Sequence, residues 1–124
     1  MTAMHYTEDH EWVRTESDGT ATIGITDHAQ DALGDIVFVE MPEVGKHFAK
    51  GDAACVVESV KAAADVKMPL AGTIVAVNSA LPDDPSKVNA DPMNDGWFLR
   101  IKPDNTADID ALMDDAAYAA LVKS

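Results

Sequence analysis

The stretch Gly51-Asp52-Ala53-Ala54-Cys55-Val56-Val57-Glu58-Ser59-Val60-Lys61-Ala62-Ala63-Ala64-Asp65-Val66-Lys67-Met68 decides the fold of this chain. Its two ends are apolar runs of strand length, and between them lies a turn of small residues. Strand, turn and strand make a hairpin, with Lys61 at or beside its tip. A lysine there carries the most exposed amine of the chain, although on composition alone a solvated turn lysine is the better explanation.

Outward from the hairpin, Glu11 to Arg14, Thr20 to Ile25, Ile36 to Met41, Ala53 to Glu58, Asp65 to Met68, Thr73 to Val77 and Gly96 to Ile101 also read as strands. Each is short, rich in Val, Ile or aromatic residues, and bounded by turn formers. The hairpin is flanked by an internal echo, Met41-Pro42-Glu43-Val44-Gly45 and Met68-Pro69-Leu70-Ala71-Gly72. Proline cannot donate to a ladder and glycine tolerates positive φ, so each copy reads as a strand ending in a tight turn. The echo suggests two β halves related by approximate two-fold symmetry. On the pentapeptides alone, coincidence in a turn-rich β protein remains open.

Helices are few. Thr26 is placed to cap residues 27–33, with Asp27 in the first turn and Gly34 just past the end. From Asp108 to Val122, Ile109, Leu112, Met113, Ala116 and Ala120 recur at helical spacing, giving one helix or two short ones near 108–122, with Asp114 or Asp115 able to cap a second.

The 124 residues fit one compact domain. With 47% hydrophobic and 25% charged residues, the composition is that of a globular chain. The 22 Asp and Glu against 9 Lys and Arg leave a formal net charge of -13. Such a surface repels phosphate, which makes nucleic acid and anionic membrane poor partners and basic protein surfaces good ones. No apolar run approaches the ~18 residues that span a bilayer, and the N-terminal residues show no leader pattern, so a cytoplasmic location is expected, or the mitochondrial matrix for a processed eukaryotic form. The lone Cys55 precludes an internal disulfide and reads as a buried small hydrophobe. His5, His10, His28 and His47 lack metal-ligand spacing, and no Ser, His and acid arrangement has motif context. Trp12 and Trp97 read as core or cleft walls.

Glu58-Ser59-Val60-Lys61-Ala62, with Gly51-Asp52 before it and Asp65, Pro69 and Gly72 after it, resembles the lipoyl-attachment hairpin of the glycine cleavage system H protein family. The likeness covers residues 5–122. It includes Tyr6, His10-Glu11-Trp12-Val13, Ala21 to Gln30, Gly34-Asp35-Ile36-Val37-Phe38-Val39-Glu40 and Asn94-Asp95-Gly96-Trp97-Phe98. One short motif is weak; several ordered blocks at compatible spacing are specific.

The resemblance implies a mainly β barrel-sandwich hybrid with pseudo-two-fold halves, which favours reading the echo as a repeat. It also implies a non-catalytic carrier in which lipoic acid is joined to the ε-amine of Lys61. The implied partners are a pyridoxal-phosphate glycine decarboxylase that loads an aminomethyl group, a tetrahydrofolate-dependent aminomethyltransferase, a dihydrolipoamide dehydrogenase that reoxidises the arm, and lipoyl-attaching enzymes. Glu11 and Asp65 match the family's acids of the cleft that shelters the aminomethyl ammonium, where a carboxylate and apolar walls are required. Glu58 matches an acid that positions the hairpin for lipoylation. Asp9 stands where family members carry a neutral hydroxyl residue and adds charge beside Glu11.

Three other readings compete with this one. Val66-Lys67-Met68 superficially resembles a biotinylation motif, but Gly72 follows Lys67 by only five residues against eleven for Lys61, which places Lys67 inside the returning strand. A lipoyl domain of a 2-oxo-acid dehydrogenase usually carries Asp before the lysine and a flexible linker; here Val60 precedes it and no such linker follows. A relay that delivers lipoyl groups to other carriers fits the same residues and is the alternative function.

Overall fold

The computed structural model describes residues 4–123. The initial Met1-Thr2-Ala3, part of the stretch read above for a leader, and Ser124 lie outside them. The elements run β1 (Met4–Tyr6), β2 (Glu11–Thr15), β3 (Ala21–Ile25), α1 (Asp27–Leu33), β4 (Ile36–Glu40), β5 (His47–Phe48), β6 (Ala53–Ser59), β7 (Ala63–Lys67), β8 (Gly72–Val77), α2 (Ala80–Asp83), α3 (Ser86–Ala90), β9 (Leu99–Pro103), α4 (Ala107–Asp110) and α5 (Asp115–Lys123). One sheet has the order β1-β2-β3-β9-β8-β5 and the other β4-β6-β7. The fold is mainly β, the barrel-sandwich arrangement expected from the sequence.

The echo earns its place in this topology. Each Met-Pro-x-x-Gly copy carries the chain out of the smaller sheet and into the larger one, the first from β4 to β5 and the second from β7 to β8. β4 and β7 flank β6 on its two sides, and β5 pairs with β8. The two glycines do different work, however. Gly45 has φ +95 and needs the left-handed region, as expected of a turn. Gly72 has no such φ; a Cβ there would lie 2.8 Å from the Lys102 carbonyl oxygen, so β9 passing alongside excludes a side chain.

Inner faces of both sheets supply the core. Val13, Ile23, Ile74, Leu99 and Ile101 come from the larger sheet and Val39, Cys55, Val57 and Val66 from the smaller one, all buried in one cluster. Burying a Val or Leu side chain is worth roughly 1.5–3 kcal/mol each. Cys55 takes the place expected for it, and burial pushes its thiol up to about 12, so it is an unreactive core residue.

Trp12 sets a local limit. It is fully buried, its Nε1–H donates to the Pro92 carbonyl at 2.9 Å, and its cross-strand partner is Gly24. A Cβ on Gly24 would stand 2.7 Å from three atoms of the indole. With the ring anchored at Pro92, Gly24→Ala is expected to cost about 2–3 kcal/mol through overpacking, lowering Tm by roughly 10 °C. A thermal melt within about 2 °C of the parent contradicts this packing account.

The helix expected at 27–33 is α1, with Thr26 Oγ1 accepting from Ala29 N–H and Gly34 closing the end at φ +81. Of the two C-terminal readings, two short helices is the correct one. α4 ends at Asp110, and Asp114 then caps α5 through Ala117 N–H at 2.9 Å. β1, β5, α2 and α3 were not foreseen. The strand expected from Gly96 begins only at Leu99: residues 92–96 form turns, and Gly96 lies so close to the carbonyls of Lys87 and Asp91 that a Cβ has no room.

Candidate functional site

β6 and β7 form the expected hairpin, with Val60-Lys61-Ala62 as its tip. Ser59 builds the turn. Its Oγ accepts from Lys61 N–H and Ala62 N–H, each at 3.1 Å, and donates to the Ala62 carbonyl. Ser59 N–H donates to the same carbonyl at 2.8 Å. The serine of Glu58-Ser59-Val60-Lys61 therefore holds the backbone that carries the lysine.

The tip is moored to the loop after α1. Val60 N–H donates to the Asp35 carbonyl at 3.0 Å. The Lys61 stem passes so close to Gly34 that a Cβ there would meet its Cε at 3.3 Å. Asn89 of α3 holds that loop from behind. Its Nδ2 donates to the Gly34 carbonyl and Gln30 Oε1, both at 2.9 Å, and its Oδ1 accepts from Ile36 N–H at 2.8 Å. One amide thus satisfies three groups around the loop that receives the hairpin tip.

At the other end of β7 lies a cleft of about 330 Å³, whose walls include Tyr6, Asp9, Glu11, Lys67, Met68 and Leu112. Glu11 is buried at 3% exposure. Its Oε2 accepts from Lys67 N–H at 3.0 Å, and its Oε1 accepts from Thr7 Oγ1 at 3.1 Å. The turn leading to it is tight, with His10 at φ +66. Burial raises the Glu11 carboxyl to about 7; the hydrogen bonds from Lys67 and Thr7 oppose that rise and Asp9 adds to it. Asp9, the departure noted in the sequence, therefore shares the cleft and makes the Glu11 charge harder to hold.

The expected residues are not gathered at one point. Lys61 and Glu58 are exposed at the tip, and Glu11 lies in the cleft. Asp65 is exposed at the middle of β7, between them along the strand, and does not line the cleft. Lys67 ends β7, as its spacing required.

Beside the cleft, a cluster fastens α5. Tyr118 stacks on Tyr6 with ring centroids 4.5 Å apart, and its hydroxyl bonds His10 Nδ1 at 2.8 Å and Thr26 Oγ1 at 2.7 Å. His10 also lies against His28, and burial first, then that neighbour, lower its basicity. His10 thus helps to moor the C-terminal helix. Among the described residues no cluster of His, Cys, Asp and Glu forms a metal site. Asn89, Thr7 and Tyr118 carried no readable signal in the sequence, since each acts through a partner distant in the chain or through a turn that the pattern does not reveal.

The chain has counterparts among known proteins in sequence and in fold. The family model described as Glycine cleavage H-protein matches residues 4–124. The glycine cleavage system H protein of Chromobacterium violaceum is 58% identical over 116 residues, covering 94% of this chain and 91% of that protein. That of Rhodospirillum rubrum is 51% identical over 122 residues, covering 98% and 97%. A crystal structure of a glycine cleavage system H protein from Mycobacterium marinum superposes with a TM-score of 0.89 at 38% identity, covering 98% of each chain. With a match from end to end in sequence and in fold, the chain belongs to the glycine cleavage H-protein family.

Proposed function

We infer that the whole chain is one lipoyl-carrier domain of the glycine cleavage system, with lipoic acid joined to Lys61. It receives the aminomethyl group from the pyridoxal-phosphate glycine decarboxylase, presents it to the tetrahydrofolate-dependent aminomethyltransferase, and is reoxidised by dihydrolipoamide dehydrogenase. The observation that carries this reading is the exposed Lys61 amine on a moored tip, from which β7 leads directly to the Glu11 cleft. The bacterial relatives support a cytoplasmic setting.

The residues fit an acylated lysine: the amine is exposed, while its stem rests on Gly34. Once attached, the dithiolane supplies two sulfurs that open, take a group and are reoxidised. The protein's own task is to present the arm and to shelter what it carries. Tethering raises the arm's local concentration at each partner site. Glu11 offers a buried carboxylate at the cleft to the aminomethyl ammonium, with Asp65 as a second acid on the strand joining tip and cleft. Glu58, at the base of the tip, presents a charge to the lipoyl-attaching enzyme.

Glu58→Ala is expected to slow lipoylation by purified ligase roughly tenfold, the worth of one charge-assisted contact. An unchanged rate removes Glu58 from that role. The function itself is tested by reconstituting glycine decarboxylation from the lipoylated chain and the partner enzymes. Turnover that depends on the chain supports the carrier. Failure there, together with transfer of lipoyl groups to another carrier, establishes the relay instead.

A further inference from the structure

β4 presents a packing anomaly. Ile36-Val37-Phe38-Val39 is an unbroken apolar run, and a regular strand would turn alternate members inward. The pairing with β6 shifts register between Ile36 and Phe38, which is a bulge. As a result Ile36 and Val39 are buried, while the two residues between them both face out, Val37 at 55% exposure and Phe38 at 46%. The bulge leaves two large apolar side chains about half exposed, which adds less to folding than burying them would.

Cross-strand register shows what surrounds them. Phe38 stands opposite Glu58 and then Ala63, and Glu40 opposite Val56 and then Asp65, so these residues share the outer face of the smaller sheet. That face ends at the hairpin tip, where Val60 is 67% exposed. It is an apolar centre within a rim of the three carboxylates Glu40, Glu58 and Asp65. At its far end Glu40 and Val56 help line a groove of about 440 Å³ with Met41, Phe48 and two opposite charges, Glu43 and Lys46.

We propose that this outer face, centred on Phe38, is the surface on which the glycine decarboxylase seats the carrier while it takes the Lys61 arm, through an apolar recess rimmed by Lys and Arg. This rests on the carrier reading above. An enzyme that draws in the arm must cover the surface around the tip, and this is the apolar part of that surface. Charge selects the occupant: a second copy of a chain with net charge -13 would bring acid against acid, whereas a basic rim would neutralise it. An aromatic anchor ringed by charge supplies binding energy at the centre and steering at the edge.

The test uses the lipoylated full chain, with lipoylation checked by intact mass, in the glycine–bicarbonate exchange catalysed by purified glycine decarboxylase. Phe38→Ser and Glu40→Lys alter exposed side chains and are expected to keep the parental melting curve. Phe38→Ser is expected to raise the KM for the carrier about tenfold with kcat unchanged. Glu40→Lys should raise KM at low salt and flatten its rise with ionic strength. If the parent supports exchange and both variants match its KM within about twofold, the docking face is overturned while the carrier reading stands. A lipoylated parent that supports no exchange overturns both.

Discussion

Lys61→Arg is expected to remove lipoylation completely and with it all support of glycine decarboxylation, while the melting curve stays at the parental position. Arginine keeps the positive charge and a long stem that can still lie over Gly34. Its guanidinium does not deprotonate in proteins, so it offers no free amine for acylation. The lysine is exposed and its turn is built by Ser59 and by backbone groups, so the substitution leaves that turn unchanged. Intact mass after expression with lipoate ligase gives the result directly. Modification that persists in the variant, or that maps to Lys67, contradicts the assignment.

The second large effect concerns Glu11. Its carboxyl is raised from 4.5 to about 7 by burial, so the folded state prefers the proton. The linked stability is fully present below the unfolded value near 4.5 and is lost as pH rises through about 7. The loss amounts to at most about 3.5 kcal/mol at 1.4 kcal/mol per unit. Glu11→Gln has no such titration. Between pH 4.5 and 8 the parent should therefore lose stability relative to the variant, as read by urea denaturation at several pH values; parallel profiles would show that Glu11 does not titrate in that window.

On the proposed carrier reading, the same group takes an opposite role once the arm carries an amine. An ammonium placed in the cleft favours the carboxylate and offsets its desolvation. The aminomethyl-loaded parent should then be more stable than the unloaded parent at pH 8, with no such gain in Glu11→Gln. Release of the carried group should be about tenfold faster in the variant, the equivalent of one modest ion pair. Equal lifetimes of the loaded forms would assign shelter to another part of the surface. Together the two profiles separate a buried acid that only weakens the fold from one that is held ready for a cation.

These effects differ in how far the sequence foretold them. Lys61 was legible because hairpin signals are local: two apolar strands with small residues between. α1 was legible for the same reason, from Thr26 at its start and Gly34 at its end. The Met-Pro-x-x-Gly echo announced a repeat, but not that Gly45 answers to a backbone angle and Gly72 to the carbonyl of Lys102. β5, with two residues, and the four- and five-residue helices α2 and α3 are too short to leave a period in the chain; packing holds them in place.

The sequence by itself determined the strand pattern, the hairpin with Lys61 at its tip and, through ordered motifs, the family. Nearest-neighbour chemistry and residue spacing write such features into the chain. Only the tertiary structure decided that Glu11 is buried under a hydrogen bond from Lys67 N–H, that Asn89 braces the loop beneath the tip, and that a bulge turns both Val37 and Phe38 outward. Their consequences, a raised carboxyl, a braced lysine-bearing turn and an exposed apolar face, arise from groups brought together across the sandwich, where desolvation and register depend on what packs nearby.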